Sequence, residues 1–181
     1  MLDNFIKLAS MPEAVIERYS GQVPIELLRI WKEDGLGTFV DGYLKVINPD
    51  DYLEFVQASY FRGEKSVPIF TTAFGDIIVY TQDGYIDIVY YRNNDFEVAG
   101  KKMSHFLNFI KDEDFQNDYF EIQLYEEAIA RLGPLSFEQC FGFVPLLALG
   151  GKKSISNMDK VNTLEHLSVI TQLTGGVGFD D

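Results

Sequence analysis

VPIFTTAFGDIIVYTQDGYIDIVYYRNNDFEVAG, residues 67 to 100, decides the fold: runs rich in Ile, Val, Tyr and Phe are broken three times by Gly, Asp or Asn. Strand and turn signals predict strands over Ile69–Ala73, Asp76–Thr81, Tyr85–Arg92 and Phe96–Ala99, joined at Phe74-Gly75, Gln82-Asp83-Gly84 and Asn93-Asn94-Asp95. Such short connections make neighbouring strands antiparallel, a β-meander. In the third strand Tyr85, Asp87, Val89 and Tyr91 share one face, and Ile86, Ile88 and Tyr90 share the other, more apolar one. A sheet with that asymmetry needs helices on its apolar face, and the flanking sequence supplies them.

Before the meander, Pro12 to Tyr19 forms a short helix that Ser20-Gly21 stops, and Val23-Pro24 opens a second helix carrying Leu27, Leu28, Ile30 and Trp31. Short strands follow at Thr38–Val40 and Tyr43–Ile47, and Asn48-Pro49-Asp50 starts another helix. There Tyr52, Phe55, Val56, Ser59 and Tyr60 fall at i, i+3, i+4, i+7 and i+8, one stripe facing a core. Trp31, Phe55 and Ile88 are expected to be buried beneath the helices that begin near Pro24 and Asp50.

Beyond the meander, Ser104 to Lys111 reads as a helix. From Asp112 to Glu127 there are seven acidic residues, Asp112, Glu113, Asp114, Asp118, Glu121, Glu126 and Glu127, and no basic one. Part of this run lies on a helix over Tyr119–Leu132, where Phe120, Leu124, Ala128 and Leu132 bury one side. The acids fall largely outside that stripe, either as a solvated face or as a surface for a partner. Gly133-Pro134 ends the helix, Ser136–Cys140 reads as a turn, Phe143–Leu149 as a buried strand and Lys152–Asn157 as a polar loop. Thr163 is placed as the cap of a final helix, and Gly175–Asp181 as a frayed end.

The expected class is therefore α+β: a central antiparallel meander flanked by helices in residues 1–100, with a smaller C-terminal α/β lobe in residues 101–181 packed against it as one compact unit. At 181 residues and 46% apolar content the chain can bury a sizeable core without disulfide or metal support. Its one cysteine, Cys140, sits among Phe137, Phe141 and Phe143 and reads as a small buried hydrophobe. The start, MLDNFIKLASMPEAV, lacks the pattern of a secretory signal, and the longest apolar run, Phe141–Leu149, is too short for a membrane span, so a cytoplasmic location is expected. With 28 acidic and 15 basic residues the net charge is −13, which opposes direct binding to nucleic acid or anionic membrane and favours either solubility alone or basic partners.

Catalytic signatures are missing. The two histidines, His105 and His166, are not spaced as ligands with each other or with Cys140, and no Gly-x-Ser-x-Gly elbow is present. The stretch Leu149-Gly150-Gly151-Lys152-Lys153-Ser154 fails as a phosphate loop because Leu146 stands where the first glycine belongs and Lys153 where Ser or Thr belongs. The expectation is a binder: no catalytic residues, no metal ligands and no cofactor.

Two stretches carry a family resemblance. Val23-Pro24, Leu27-Leu28, Trp31, Glu33, Gly35, Gly37, Phe39, Asp41-Gly42 and Ile47-Asn48-Pro49-Asp50-Asp51-Tyr52 resemble the GAD-like domain. Glu127-Ala128, Leu132-Gly133-Pro134-Leu135, Glu138, Phe141-Gly142-Phe143-Val144-Pro145 and Leu147-Ala148-Leu149-Gly150-Gly151, with the closing helix, are similar to the C-terminal domain that accompanies it in type VI secretion immunity proteins. The resemblance implies a protein that binds and neutralises a cognate secreted toxin, notably a DNase effector, and it implies no catalytic residues. A SUKH-like regulatory module for an endogenous partner is the competing reading. Contacts to the partner are assigned on charge and position, not on family motifs, to Asp112, Glu113, Asp114, Asp118 and Glu121 and to the loop residues Lys152, Lys153, Ser154, Ser156 and Asn157. The partner is expected to be protein alone, with the chain a monomer or weak homo-oligomer.

Overall fold

The computed structural model describes residues 2–179. In chain order its elements are β1 (Ile6–Ala9), α1 (Glu13–Tyr19), α2 (Ile25–Glu33), β2 (Leu36–Phe39), β3 (Leu44–Val46), α3 (Pro49–Ser59), β4 (Ser66–Thr72), β5 (Ile77–Thr81), β6 (Ile86–Tyr90), β7 (Asp95–Gly100), α4 (Met103–Phe109), α5 (Glu113–Phe120), α6 (Ile122–Leu132), β8 (Gln139–Phe143), β9 (Met158–Asn162) and α7 (Thr163–Thr174). Strands β1 to β7 form one sheet in unbroken sequence order, every neighbouring pair antiparallel, and β8 pairs with β9 in a separate ribbon. The class is α+β, and the meander is its centre.

The sheet is wider than the four strands read from residues 67 to 100. Strands β2 and β3 pair onto β4, and β1, which the sequence did not signal, forms the far edge. All four residues of β1 are exposed, so its side chains show no burial alternation from which a strand could be read.

Both faces of the sheet are buried, not one. Register pairs Ile78 with Ile88 and Ile77 with Val89, so alternation sends these pairs to opposite sides. On one side Ile78, Ile86, Ile88 and Phe70 pack with Leu27 and Trp31 of α2 and with Phe106 and Phe120; on the other, Ile77, Val79 and Val89 pack with Tyr52 and Val56 of α3 and with Leu167 and Ile170 of α7. The helices near Pro24 and Asp50 thus cover opposite faces. Asp87 made the second face look polar, yet it is fully buried because Arg62 Nη1, at 2.9 Å, and the Tyr60 hydroxyl, at 2.8 Å, both donate to its carboxylate. Trp31 and Ile88 are buried as expected, while Phe55 is only half-buried, with its ring 5.1 Å from that of Tyr91.

The chain after residue 100 contributes to both cores: Phe106, Phe120, Phe141 and Phe143 to the first, Leu146, Leu167, Ile170 and Val177 to the second. Two close approaches fix the β8–β9 ribbon against the sheet. At Gly75, φ +80°, a Cβ would come within 3.1 Å of Cys140 Sγ, so only glycine lets the β4–β5 turn reach the ribbon there. Beside it Phe141 N–H donates to the Ala73 carbonyl at 2.7 Å. Cys140 is fully buried, and burial pushes its thiol up to about 11. Lys45 of β3, 2% exposed, donates from Nζ to the carbonyls of Phe137 at 2.9 Å, Ser136 at 3.3 Å and Gln139.

Strand ends shift by one to three residues from the sequence reading, and four larger differences lie after residue 100. Strand β8 ends at Phe143, since Pro145 cannot continue the ladder, and Leu147–Leu149 form a 3-10 turn in place of the expected strand. The helix read as Tyr119–Leu132 is two, with Glu121 in the left-handed region at φ +51° between α5 and α6. Helix α7 is capped by Asn162, whose Oδ1 accepts from Glu165 N–H at 3.1 Å, not by Thr163. The end of the chain is not frayed up to residue 179. Val177 is fully buried and bridges to Tyr60, exchanging backbone hydrogen bonds with Ser59 and Phe61 at 2.8 and 3.0 Å. Asp180 and Asp181 lie outside the described residues.

Candidate partner-binding face

The acids singled out along the chain do not play one role. Asp112 caps α5, its Oδ1 accepting from Phe115 N–H at 3.1 Å, and Glu113 and Asp114 occupy the exposed first turn, where the positive end of the helix dipole favours them. Asp118 is exposed on the same helix, a turn beyond Asp114. Glu121 is different. It is half-buried, its Oε2 lies 2.6 Å from Arg92 Nη1 in an ion pair without the alignment of a hydrogen bond, and its Oε1 pairs with Lys153 Nζ.

Arg92 extends this pair inward. Its side chain is 4% exposed, its Nε and Nη2 each contact the Asp76 carboxylate at 3.2 Å, and its guanidinium stacks 4.5 Å from the centre of the Phe74 ring. Thr72 Oγ1 donates to Asp76 at 3.1 Å. A charged relay therefore runs Asp76–Arg92–Glu121–Lys153 from the buried β4–β5 turn to the surface. Burial opposes ionisation of Glu121, but Arg92 and Lys153 outweigh it, and its carboxyl titrates below the usual range.

This relay joins the acidic helix to the polar loop after residue 151, two segments separated by about thirty residues. The loop holds itself together: Ser154 and Ser156 hydroxyls meet at 2.9 Å, Asn157 Nδ2 donates to the Lys152 carbonyl at 3.3 Å, and Arg131 of α6 donates to the Ile155 carbonyl. Lys152 is exposed. Between α5, the loop and the β6–β7 hairpin lies a cleft of about 220 Å³ whose wall includes Asp95, Glu97, Asp118 and Lys153.

Asp95, Glu97, Arg92 and Asp76 were not singled out by sequence reasoning. A signal existed for Arg92: it is the only basic residue between Asp76 and Gly100, and a lone cation in so apolar a run implies a buried anion to meet it. Neither histidine joins the relay. His105 is exposed beside Phe109, and His166 packs against Gly142, its pKa lowered by burial. Among the described residues no group of three His, Cys, Asp or Glu side chains is arranged to hold a metal ion.

The family model of the GAD-like domain matches residues 1–91, and that of the T6SS immunity protein Tdi1, C-terminal, matches residues 100–174. No curated protein matches the chain. Among solved structures, the crystal structure of Atu4351 from Agrobacterium tumefaciens aligns with a TM-score of 0.74 at 19% identity, covering 95% of this chain and 84% of that one, a likeness of fold. With half of its length matched by the first model, the chain belongs to the GAD-like family, and the segment behind that domain matches the model of the T6SS immunity protein Tdi1 C-terminal domain.

Proposed function

We propose that the chain is an immunity protein that binds a cognate type VI secreted toxin, a DNase, and neutralises it by covering its DNA-binding surface or active site. The observation that carries this reading is the meeting of the α5 acids and the 152–157 loop around Glu121, on a chain of net charge −13. A DNase presents cations to the phosphate backbone, and an acidic face complements that surface without needing chemistry of its own. Steering by the acids speeds encounter, and the loop, braced by Glu121 and Arg131, supplies a shaped element that slows release. On this reading the protein acts in the cytoplasm, where the DNA is, with no catalytic residue, cofactor or direct nucleic-acid contact. No helix among the described residues is long and apolar enough to cross a membrane.

The test is plasmid cleavage by the purified toxin encoded beside this chain's gene, titrated with the purified chain. Cleavage should stop near one equivalent and a stable complex should co-elute. Undiminished cleavage in the presence of excess folded chain refutes the reading.

A further inference from the structure

A cavity of about 440 Å³ opens between α2, the β2–β3 turn and the α4–α5 junction. Its floor is apolar, formed by Leu2, Ile30, Phe39, Leu107 and Ile110. At its rim Lys111 and Asp3 neutralise each other at 2.6 Å, leaving Glu26, Asp41 and Arg29, none of which makes an ion pair among the described residues. The free rim charge is thus two carboxylates against one guanidinium.

One wall is held in an unusual conformation. Asn4, Val40 and Asp41, three of the five non-glycine residues at positive φ among the described residues, all line this cavity, and Val40 is β-branched with φ +50°. Such strain persists only where the surroundings impose it. Here Tyr43 N–H donates to the Val40 carbonyl and the Tyr125 hydroxyl of α6 to the Asp41 carbonyl, each at 2.9 Å. The wall is therefore fixed before anything binds.

We propose that this cavity receives an apolar anchor side chain, flanked by a basic residue, from a surface loop of the toxin; the inference rests on the reading of the chain as a toxin-binding immunity protein. The cavity is continuous with the acidic helix, because Lys111 and Gln116 line it while Asp112, Glu113 and Asp114 lie between them in sequence. A partner lying along α5 reaches both. An apolar anchor seated in a preformed pocket with a charged rim is the arrangement that concentrates binding energy at protein interfaces, and the surplus of rim carboxylates selects a basic neighbour over an acidic one.

The experiment measures binding kinetics of the full chain to the toxin encoded beside its gene, with melting temperature and sedimentation as controls. Asn108→Trp, at the exposed mouth, should raise the dissociation rate at least about 30-fold. Glu26→Lys should slow association about threefold or more. Gln172→Trp, on the exposed side of α7, should change neither. If the wild-type chain binds while Asn108→Trp and Glu26→Lys bind as it does, the anchor site is wrong and the immunity reading stands. Should Asn108→Trp fail to fold, Glu26→Lys decides alone. No binding by the wild-type chain overturns both, and a wild-type dimer that Asn108→Trp splits assigns the cavity to a second copy instead.

Discussion

Glu121 Oε2 lies 2.6 Å from Arg92 Nη1, so the residue that ends the acidic helix is the counter-ion of a cation anchored inside the sheet. Removing it leaves Arg92 paired through Asp76 alone. Glu121→Gln should destabilise the fold by about 1–3 kcal/mol, discounted from a fully buried pair because the carboxylate is partly solvated. Asp118→Asn, an exposed change on α5, should stay within about 0.5 kcal/mol. Urea unfolding of the two variants checks this, and equal midpoints would show that Glu121 is only a surface acid.

Because Glu121 supports the fold, the acids that test partner steering are Asp114 and Asp118. Their joint reversal to Lys should lower the association rate for the toxin and flatten its dependence on salt. Replacing Lys152–Asn157 by Gly-Ser should chiefly raise the dissociation rate. Stopped-flow kinetics unchanged by both substitutions, in protein that melts normally, places the interface elsewhere.

Lys45 predicts a second structural dependence. Its Nζ is shared by the carbonyls of Ser136, Phe137 and Gln139, which lead into β8. Lys45→Met keeps much of the side-chain volume but takes the lysine donor from the Phe137 and Gln139 carbonyls, while the Ser136 carbonyl keeps the Gln139 N–H at 3.1 Å, a loss of about 2–4 kcal/mol. Limited proteolysis should then cut between residues 133 and 139 well before the sheet is attacked. Wild-type protease resistance would mean that Phe141 and Gly75 alone hold the ribbon.

How much was legible in the sequence follows from the range of the forces involved. The meander was readable because turn chemistry at Gly84 and Asn94 and the alternation of Ile86 to Tyr91 are local. The α3 stripe of Tyr52, Phe55, Val56, Ser59 and Tyr60 was readable for the same reason, and all but the half-buried Phe55 are buried. What escaped depends on distant partners. Burial of Asp87 is decided by Arg62 and Tyr60, twenty-five or more residues away, and the order at Val177 by Ser59 and Phe61. In the candidate face, charge density located α5 and the loop. Nothing local could say that Glu121 points to Arg92 while Asp118 points to solvent.

The buried tyrosines set the last expectation, a loss of stability at alkaline pH. Burial pushes Tyr43, Tyr52, Tyr60 and Tyr91 up, with Asp87 adding to the shift of Tyr60, and raises Tyr125 to about 12. In the unfolded chain these phenols ionise near pH 10, so between that pH and their folded values the unfolded state binds fewer protons and stability falls as pH rises. Cys140 acts in the same direction from about pH 9 to about 11. Lys45 acts oppositely: burial lowers its pKa to about 8, and its contribution is lost as pH falls through that value and recovered toward the usual lysine range. The urea midpoint should therefore hold or rise slightly from pH 8 to 9.5, then drop by pH 11, with about 1 kcal/mol lost for each tyrosine kept protonated by the fold. Tyr52→Phe should make the fall shallower by close to one proton, since its ring stays buried while its titration disappears. A midpoint that does not move between pH 9.5 and 11 would mean that these phenols ionise as freely in the folded protein as in the unfolded chain.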